Sequence, residues 1–533
     1  MITRRNFTKI ICLGTAGITL NSACNRFKTQ SVTPDTTQIT SAQRPNIIII
    51  HVDDLALGDV GVFGCPDCST PNIDALAASG VKMTNAYTIN APCTPSRTGL
   101  MMGMYTQRFG KYNLSRGVPI PDDKATMPET LRDAGYVTGL VGALKWDIGS
   151  WNQGPLDRGF TEMALHPPRT EPTIFGGGST YLGVDGSYLT EVEGQYVLEF
   201  LERHGKRRDK PFFLYFAPLA IHIPHTEVPK KYLKRLYPEH TEKEYSKRQY
   251  LQANLLALDD QIGRMIKKIS ELGIKENKLI MFNSDNGGDP LADHRPDPYR
   301  GGKNTSKEEK TNLYMQWEGN YRMPTIVTFP GTLPAGKEYK GMASTMDFYA
   351  TAVAVAETEL PQHCEGKNLL PLLMEKKNPN PDETLFWNTH GTEASRWKQW
   401  RIVKYNKEKN WHSEKNHNKQ TNWRLYDIDK DPAEKIDLAA EKPDIVREMS
   451  QRYDAWLKQM PQPRSPVKPP KHMLAHTKDG NKARHPFGRG WMTVEEWDKI
   501  KDDPTKWSEM YMRPLYRLQP NVEKDSPLSY VGP

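Results

Sequence analysis

The chain has 533 residues, 37% of them hydrophobic and 26% charged, a balance that excludes a wholly disordered protein and allows a sizeable core. By length it holds two or three domains, or one large enzyme domain with a smaller companion. A formal net charge of +8 is modest for this length and is spread along the sequence, so it does not point to nucleic acid as a partner.

In chain order, the first predicted element is an export signal over residues 1–24. Thr3-Arg4-Arg5-Asn6-Phe7-Thr8-Lys9 precedes an apolar stretch, Ile10 to Leu20, that is too short to span a bilayer. Paired arginines before Phe7 and Lys9 resemble a bacterial twin-arginine signal, which predicts a destination in the periplasm or at the cell surface. Ala23 suits signal-peptidase cleavage; Cys24 is the alternative, a lipid acceptor that would tether the chain to a membrane. Residues 25–44, rich in Thr, Ser and Gln, read as a linker.

The body opens on Ile47-Ile48-Ile49-Ile50, an all-apolar β-branched run of the kind buried on both faces of a parallel sheet, with Asp53 and Asp54 just beyond it. Cys65-Pro66-Asp67-Cys68 suggests a small loop disulfide or half of a metal site; no second cysteine pair accompanies it, and a structural role is expected. A short helix is predicted to open at Pro71 and end at Gly80. Phe212 to Phe216 forms another apolar strand and leads to His222 and His225. Leu251, Leu255, Leu258, Ile262, Met265, Ile269 and Leu272 recur at steps of four and three, predicting a long amphipathic helix closed by Gly273. Leu279-Ile280-Met281-Phe282 is a third buried strand and runs into Ser284-Asp285-Asn286-Gly287-Gly288. Open α/β sheets bind ligands beyond the carboxyl ends of their strands, so these three strand ends are expected to converge on one crevice.

The catalytic domain is expected to span 45–375. After it come a smaller α+β domain with antiparallel strands over 376–460 and a Pro- and charge-rich tail, 461–533, packed on the body.

Chemistry is carried by Cys93-Thr94-Pro95-Ser96-Arg97-Thr98-Gly99-Leu100. Pro95 fits the first turn of a helix, which leaves residue 93 beside free backbone N–H groups and the positive end of the dipole, a place suited to an anion. Arg97 offers a planar fork of donors to such a group. Asp53, Asp54, Asp285 and Asn286 are hard oxygen donors, suited to calcium or magnesium and unsuited to softer metals. This combination resembles the Cys-x-Pro-x-Arg signature and metal cradle of the type I, formylglycine-dependent sulfatases of the alkaline phosphatase superfamily. The resemblance continues in order through Thr70-Pro71-Asn72-Ile73-Asp74, Arg158-Gly159-Phe160, Arg300-Gly301-Gly302-Lys303, Leu425-Tyr426-Asp427 and Asp431-Pro432.

The resemblance implies an α/β fold, an alkaline-phosphatase-like sandwich with a large, mostly parallel sheet flanked by helices, plus the smaller antiparallel domain. It implies that Cys93 is converted to formylglycine by a formylglycine-generating enzyme. One calcium ion would be held by Asp53, Asp54, Asp285, Asn286 and residue 93. Hydrolysis of an O-sulfate ester would follow, with Arg97, Lys145 and Lys303 stabilising the transferring group and His222 protonating the leaving oxygen. His225 is the rival of His222 and a candidate substrate contact. Family members usually read Gly-Lys-Trp-His-x-Gly where this chain has Gly142-Ala143-Leu144-Lys145-Trp146-Asp147-Ile148-Gly149. Aligning from the right keeps Lys145 and puts Asp147 in the histidine place; aligning from the left puts Lys145 there. The first is preferred because Trp146 and Gly149 both match. The expected substrate is a sulfated polysaccharide or oligosaccharide of marine algal type, such as ulvan or carrageenan, with animal glycosaminoglycans as the alternative. Rival readings are a phosphonate or phosphodiester hydrolase of the same superfamily and a non-catalytic protein that binds sulfated glycans. The Lys/Glu-rich insertion at Lys307-Glu308-Glu309-Lys310 and the basic, aromatic run from Lys404 to Trp423 read as solvated loops rather than glycan contacts.

Overall fold

The structure, a computed structural model, describes residues 44–112, 118–142, 154–165, 187–207, 209–223, 225–241, 244–303, 317–374, 382–389, 392–405, 422–464 and 490–499. The expected export signal with Cys24, the linker except for Arg44, Lys145 and Asp147, the insertion at 307–310, residues 406–421 and most of the tail lie outside these.

The chain begins with β1 (Asn46–Val52), α1 (Pro71–Ala78), β2 (Val81–Met83), β3 (Ala86–Tyr87), α2 (Cys93–Met102), α3 (Met127–Asp133), β4 (Val137–Gly142) and β5 (Glu162–Leu165). It continues with α4 (Leu189–His204), β6 (Phe212–Ala217), α5 (Lys230–Leu236), α6 (Lys247–Glu271), β7 (Lys278–Ser284), β8 (Thr325–Thr328), β9 (Lys337–Tyr339) and β10 (Ala343–Ser344). Then come α7 (Met346–Val355), α8 (Leu370–Leu373), β11 (Thr384–Thr389), β12 (Thr392–Trp397), β13 (Trp400–Tyr405), β14 (Arg424–Asp427), α9 (Pro443–Leu457) and β15 (Gly490–Thr493). A nine-stranded sheet has the order β15-β5-β4-β6-β1-β7-β8-β2-β9. Its centre is parallel, with β1 between β6 and β7; β8 runs antiparallel to β7 and β2, and β15 antiparallel to β5.

The isoleucine run explains why β1 is central. Ile47 and Ile49 enter the core on one face, with Leu100 of α2, Leu131 of α3 and Phe348 of α7; Ile48 and Ile50 enter the other, with Ile73 of α1, Phe200 of α4 and Leu258 of α6. Each fully buried side chain of this size contributes about 1.5–3 kcal/mol, and strand periodicity lets a single run serve both layers. The result is the expected three-layer α/β sandwich. In α6 the predicted stripe is the buried one, Leu251 through Ile269; Ser246 and Gln249 form a capping box at its start, and Gly273 takes a positive φ of 66° just past its end.

The second sheet, β11-β12-β13-β14, is antiparallel throughout and is backed by α9 through Met449. Trp387 and Tyr426 of this sheet pack with Tyr87, Trp317 and Tyr321. In the same region Glu318 and Glu434 meet Arg401, all fully buried or nearly so, which fixes the small sheet to the body by charge as well as by apolar contact. Among the described residues no helix is long and apolar enough to cross a membrane.

Candidate active site

The ends of three parallel strands supply the site. Past β1 the chain places Asp53 and Asp54, both buried, and Asp54 takes φ 64°, a left-handed turn that Asp tolerates better than most side chains. Past β7 come Asp285 and Asn286, also buried. The two ends are tied together: Asp285 N donates to Val52 O at 3.0 Å, Asp54 N to Asp285 Oδ1 at 3.1 Å, and Leu55 N to Ser284 Oγ at 2.8 Å. The loop after β6 joins through Ile221 N, which donates to Asp53 O at 3.0 Å.

Helix α2 begins at Cys93 itself, with Pro92 before it and Pro95 in its first turn, so residue 93 stands at the positive end of the helix. Cys93 is buried, and its sulfur and one carboxylate oxygen each of Asp53 and Asp285 lie within 4.8 Å of one another. One turn along, Arg97 directs its fork at the same carboxylates. Nε and Nη2 each reach Asp285 Oδ2 at 2.8 Å, and Nη2 lies 3.4 Å from Asp53 Oδ2. Burial opposes the Arg97 charge, but Asp285, Tyr215 and Asp53 outweigh it and hold the guanidinium firmly protonated.

Lys303 arrives through close backbone packing. A Cβ on Gly302 would lie 2.2 Å from Gly288 O, so glycine is required where the 301–303 segment lies against 287–288. Lys303 N donates to Gly288 O at 2.9 Å, and its Nζ donates to both oxygens of Asp54, at 2.9 and 2.8 Å. Burial works against its charge; Asp54, Cys93 and Asp53 more than compensate and push its pKa up.

His222 places Nε2 3.6 Å from Asp54 Oδ2, while its Nδ1 is 2.7 Å from Ile223 O, the arrangement of an Nδ1–H donating to that carbonyl. His225 is turned inward: Nε2 is 2.9 Å from Ile221 O, and its ring packs against that of His294, centroids 5.4 Å apart. Burial, then the neighbouring His294, lowers its pKa to about 3, so it is neutral. The structure therefore brings Cys93, Arg97, His222, Lys303, Asp53, Asp54, Asp285 and Asn286 together and sets His225 behind the loop that carries His222. Lys145 and Asp147 follow β4 outside the described residues.

The donor set fits a calcium ion. Oxygens that bind one ion at about 2.4 Å lie no more than about 4.8 Å apart, the spacing seen among the Asp53, Asp285 and Cys93 ligand atoms. Asn286 turns its Nδ2 to Asp54 Oδ1 at 2.7 Å and Gly287 O at 2.8 Å, which leaves Oδ1 buried without a hydrogen-bond partner. Three carboxylates face two cations, Arg97 and Lys303, and burial followed by this crowding pushes Asp285 up to about 7 against the pull of Arg97. A divalent ion among them would hold all three ionised.

Two supporting groups had little signal in the sequence. Tyr215 on β6 places its hydroxyl 3.5 Å from Arg97 Nη1; one phenol within Phe212-Phe213-Leu214-Tyr215-Phe216 was the available hint. Asp59 accepts from the buried His294 Nδ1 at 2.7 Å, and that contact pairs residues too distant in sequence for a pattern to reveal.

Comparison with known proteins accords with this geometry. A family model described as Sulfatase matches residues 45–358, and one described as N-sulphoglucosamine sulphohydrolase, C-terminal, matches residues 310–459. N-acetylgalactosamine-6-sulfatase of Canis lupus familiaris is 30% identical over 370 residues, which cover 62% of this chain and 66%, just under two thirds, of that protein. N-acetylgalactosamine-6-O-sulfatase of Bacteroides thetaiotaomicron is 26% identical over 530 residues, covering 82% of this chain and 97% of its own length. Among solved structures, Ps i-CgsB superposes with a TM-score of 0.66 at 25% identity, covering 88% of this chain and 100% of that one. The chain belongs to the sulfatase family of the alkaline phosphatase superfamily, a family of sulfuric ester hydrolases.

Proposed function

We propose that this protein hydrolyses O-sulfate esters of a sulfated polysaccharide or its oligosaccharides, with residue 93, matured to formylglycine, as its nucleophile. The observation that carries the reading is the convergence of Cys93, at the start of α2, with the oxygen donors past β1 and β7 and with Arg97, Lys303 and His222. Formylglycine at this position supplies, as its hydrate, a hydroxyl able to attack sulfur and a second able to release the sulfate afterwards. Asp53, Asp54, Asp285 and Asn286 would hold a calcium ion, which would supply positive charge to offset that of the sulfate.

The chain's own residues do the rest. Arg97, held by Asp285 through Nε and Nη2 and flanked at Nη1 by Tyr215, sets a fixed positive charge near residue 93 to receive the sulfate. Lys303, already protonated beside Asp54, donates through Nζ to the charge that grows on the transferring group. His222 holds one proton at Nδ1 against Ile223 O, and as imidazolium gives the proton at Nε2 to the departing alkoxide. The resemblance assigns Lys145 the second lysine role and Asp147 the place of the family histidine, as a proton acceptor for the hydrate.

The glycan class is supported by the names of the N-acetylgalactosamine-6-sulfatase relatives. Within it we favour algal polysaccharides of the ulvan or carrageenan type. The twin-arginine-like start supports export to the periplasm or cell surface, where such polymers are met. The test is sulfate release from a panel of ulvan, carrageenan and glycosaminoglycan oligosaccharides, with mass spectrometry of the peptide that contains residue 93. Formylglycine at 93 and loss of sulfate release in Cys93→Ala are expected. Sulfate release undiminished in Cys93→Ala, or faster turnover of phosphate diesters than of sulfate esters, would overturn the proposal.

A further inference from the structure

The loop Cys65-Pro66-Asp67-Cys68, between β1 and α1, takes no part in the cradle described above, yet it is held from α6 by an unusual set of bonds. Both cysteines are free thiols and half-buried. Arg248, in the first turn of α6, directs a single nitrogen, Nη2, at three acceptors: Cys68 Sγ at 3.0 Å, Cys65 Sγ at 3.4 Å and Asp67 Oδ1 at 2.7 Å. One turn further on, Gln252 Nε2 donates to Asp67 O at 2.6 Å and fixes the backbone of the loop. The guanidinium is itself anchored, with Nη1 on the buried Asp59 at 2.5 Å and on Asp293 O at 3.0 Å. The two sulfurs and a carboxylate oxygen of Asp67 lie within 4.8 Å of one another.

Such a trio has the donors of a soft-metal site, but the Arg248 cation already faces all three, and a second cation would sit against it. Both thiols also donate to Asp67 Oδ1, Cys65 at 3.2 Å and Cys68 at 3.8 Å, and Arg248, which neutralises that carboxylate, leaves its guanidinium beside two adjacent sulfurs, where it favours a thiolate. The two thiols are not equivalent: Cys65 is the less buried of the two and so the one an external disulfide reaches first, whereas Cys68 lies deeper, where its shared hydrogen and burial push its pKa up.

We propose that Cys65 and Cys68 form a thiol–disulfide exchange site, with Cys65 as the attacking sulfur and Cys68 as the resolving one. The oxidant is a low-molecular-weight disulfide. Cys65 thiolate attacks one sulfur of that disulfide; a new S–S bond forms, the old one breaks, and one thiolate leaves with its electron pair. Cys68 then gives up its proton to solvent and attacks Cys65 sulfur, expelling the second thiolate and closing the Cys65–Cys68 bond. Two cysteine sulfurs are oxidised and one external disulfide is reduced to two thiolates, with one proton released.

The test exposes the full chain to oxidised glutathione and maps the products by non-reducing peptide mass spectrometry. A Cys65–Cys68 bond is expected in the wild type. In Cys68→Ser, glutathione is expected to be trapped on Cys65; in Cys65→Ser, Cys68 is expected to react at least about tenfold more slowly. Arg248→Gln should slow Cys65 alkylation at pH 7 by roughly threefold or more, and an unchanged urea unfolding midpoint in the cysteine variants verifies that they fold. Glutathione on Cys68 in preference to Cys65, a pair that stays reduced while Cys364 reacts, or stoichiometric zinc that shields both thiols would each overturn the proposal.

Discussion

Replacing Arg97 by Met tests the electrostatics of the cradle without touching the nucleophile. Arg97, Asp53 and Asp285 have side chains 0% exposed, and the guanidinium meets Asp285 at 2.8 Å and Asp53 at 3.4 Å. Removing one partner from such a cluster leaves buried carboxylates facing each other, at a cost of roughly 3–5 kcal/mol. With a urea m value of about 3 kcal/mol per molar, the midpoint of the chelator-treated protein falls by about 1–1.7 M. An ion that binds only the native state contributes about 2.7 kcal/mol at a hundred times its Kd. In the variant it also takes over the neutralising role of Arg97, so the gap to wild type should narrow as calcium is added. Arg97→Lys, which keeps the charge but not the planar fork, should fall between the two. The assay is urea unfolding followed by tryptophan fluorescence, in chelator and in calcium. A variant within about 0.5 kcal/mol of wild type in chelator, or a gap that widens with calcium, refutes the reasoning.

Lys303→Met should lower sulfate turnover by about 10²–10³ while leaving calcium affinity equal or higher, because the ammonium on both oxygens of Asp54 no longer competes; weaker calcium binding by calorimetry contradicts this. Asp259, buried beneath the start of α1, accepts from Asn72 N and Ile73 N at 3.1 and 2.9 Å, and burial raises its pKa to about 6 from 3.8. A folded value above the unfolded one means the contribution is complete below about pH 4 and is lost as pH rises through 6, in total about 3 kcal/mol. Urea midpoints of wild type and Asp259→Asn over pH 4–7 should therefore diverge with that sign, and parallel curves argue against it. Arg401→Met leaves Glu318 and Glu434 buried together, with Glu434 already pushed up to about 7 by burial. The loss should approach about 3–5 kcal/mol at pH 8 and shrink at pH 6, where Glu434 carries a proton; equal losses at the two pH values would contradict this assignment.

The central strands and the acids at their ends were legible because a parallel strand buried on both faces runs apolar through its middle and turns polar only near its ends, as where His51 of β1 pairs with Asn283 of β7. Ile47–Ile50 and Leu279–Phe282 announce themselves, and Asp53 and Asp285 mark where each gives out. The face of α6 was legible from its period and its end from Gly273, while its start is marked by the Ser246–Gln249 capping box. The sheet edge was not legible. β2 and β9 are three residues each, and β9 carries exposed Lys337 and Glu338, so neither bears an apolar run. In the sequence His222 is preferred to His225 on its flanking Ile221 and Pro224, a match that carries no distance; the structure adds that His222 Nε2 lies 3.6 Å from Asp54 while His225 turns to Ile221 O. The Arg401–Glu318–Glu434 cluster joins three separate segments, and each charge taken alone reads as surface.

β15 bears on the order of synthesis. Gly490–Thr493 covers the outer edge of β5, Arg203 stacks on Trp491 at 4.3 Å, and Trp491 lies over Phe200. At roughly 5–20 residues per second, a ribosome needs about 15–65 s between β5 and the strand that protects it. Throughout that interval the nascent chain presents an open strand edge, a template for pairing with other chains. A messenger truncated between the small domain and β15 would make that exposure permanent, and its product should aggregate rather than fail only in catalysis.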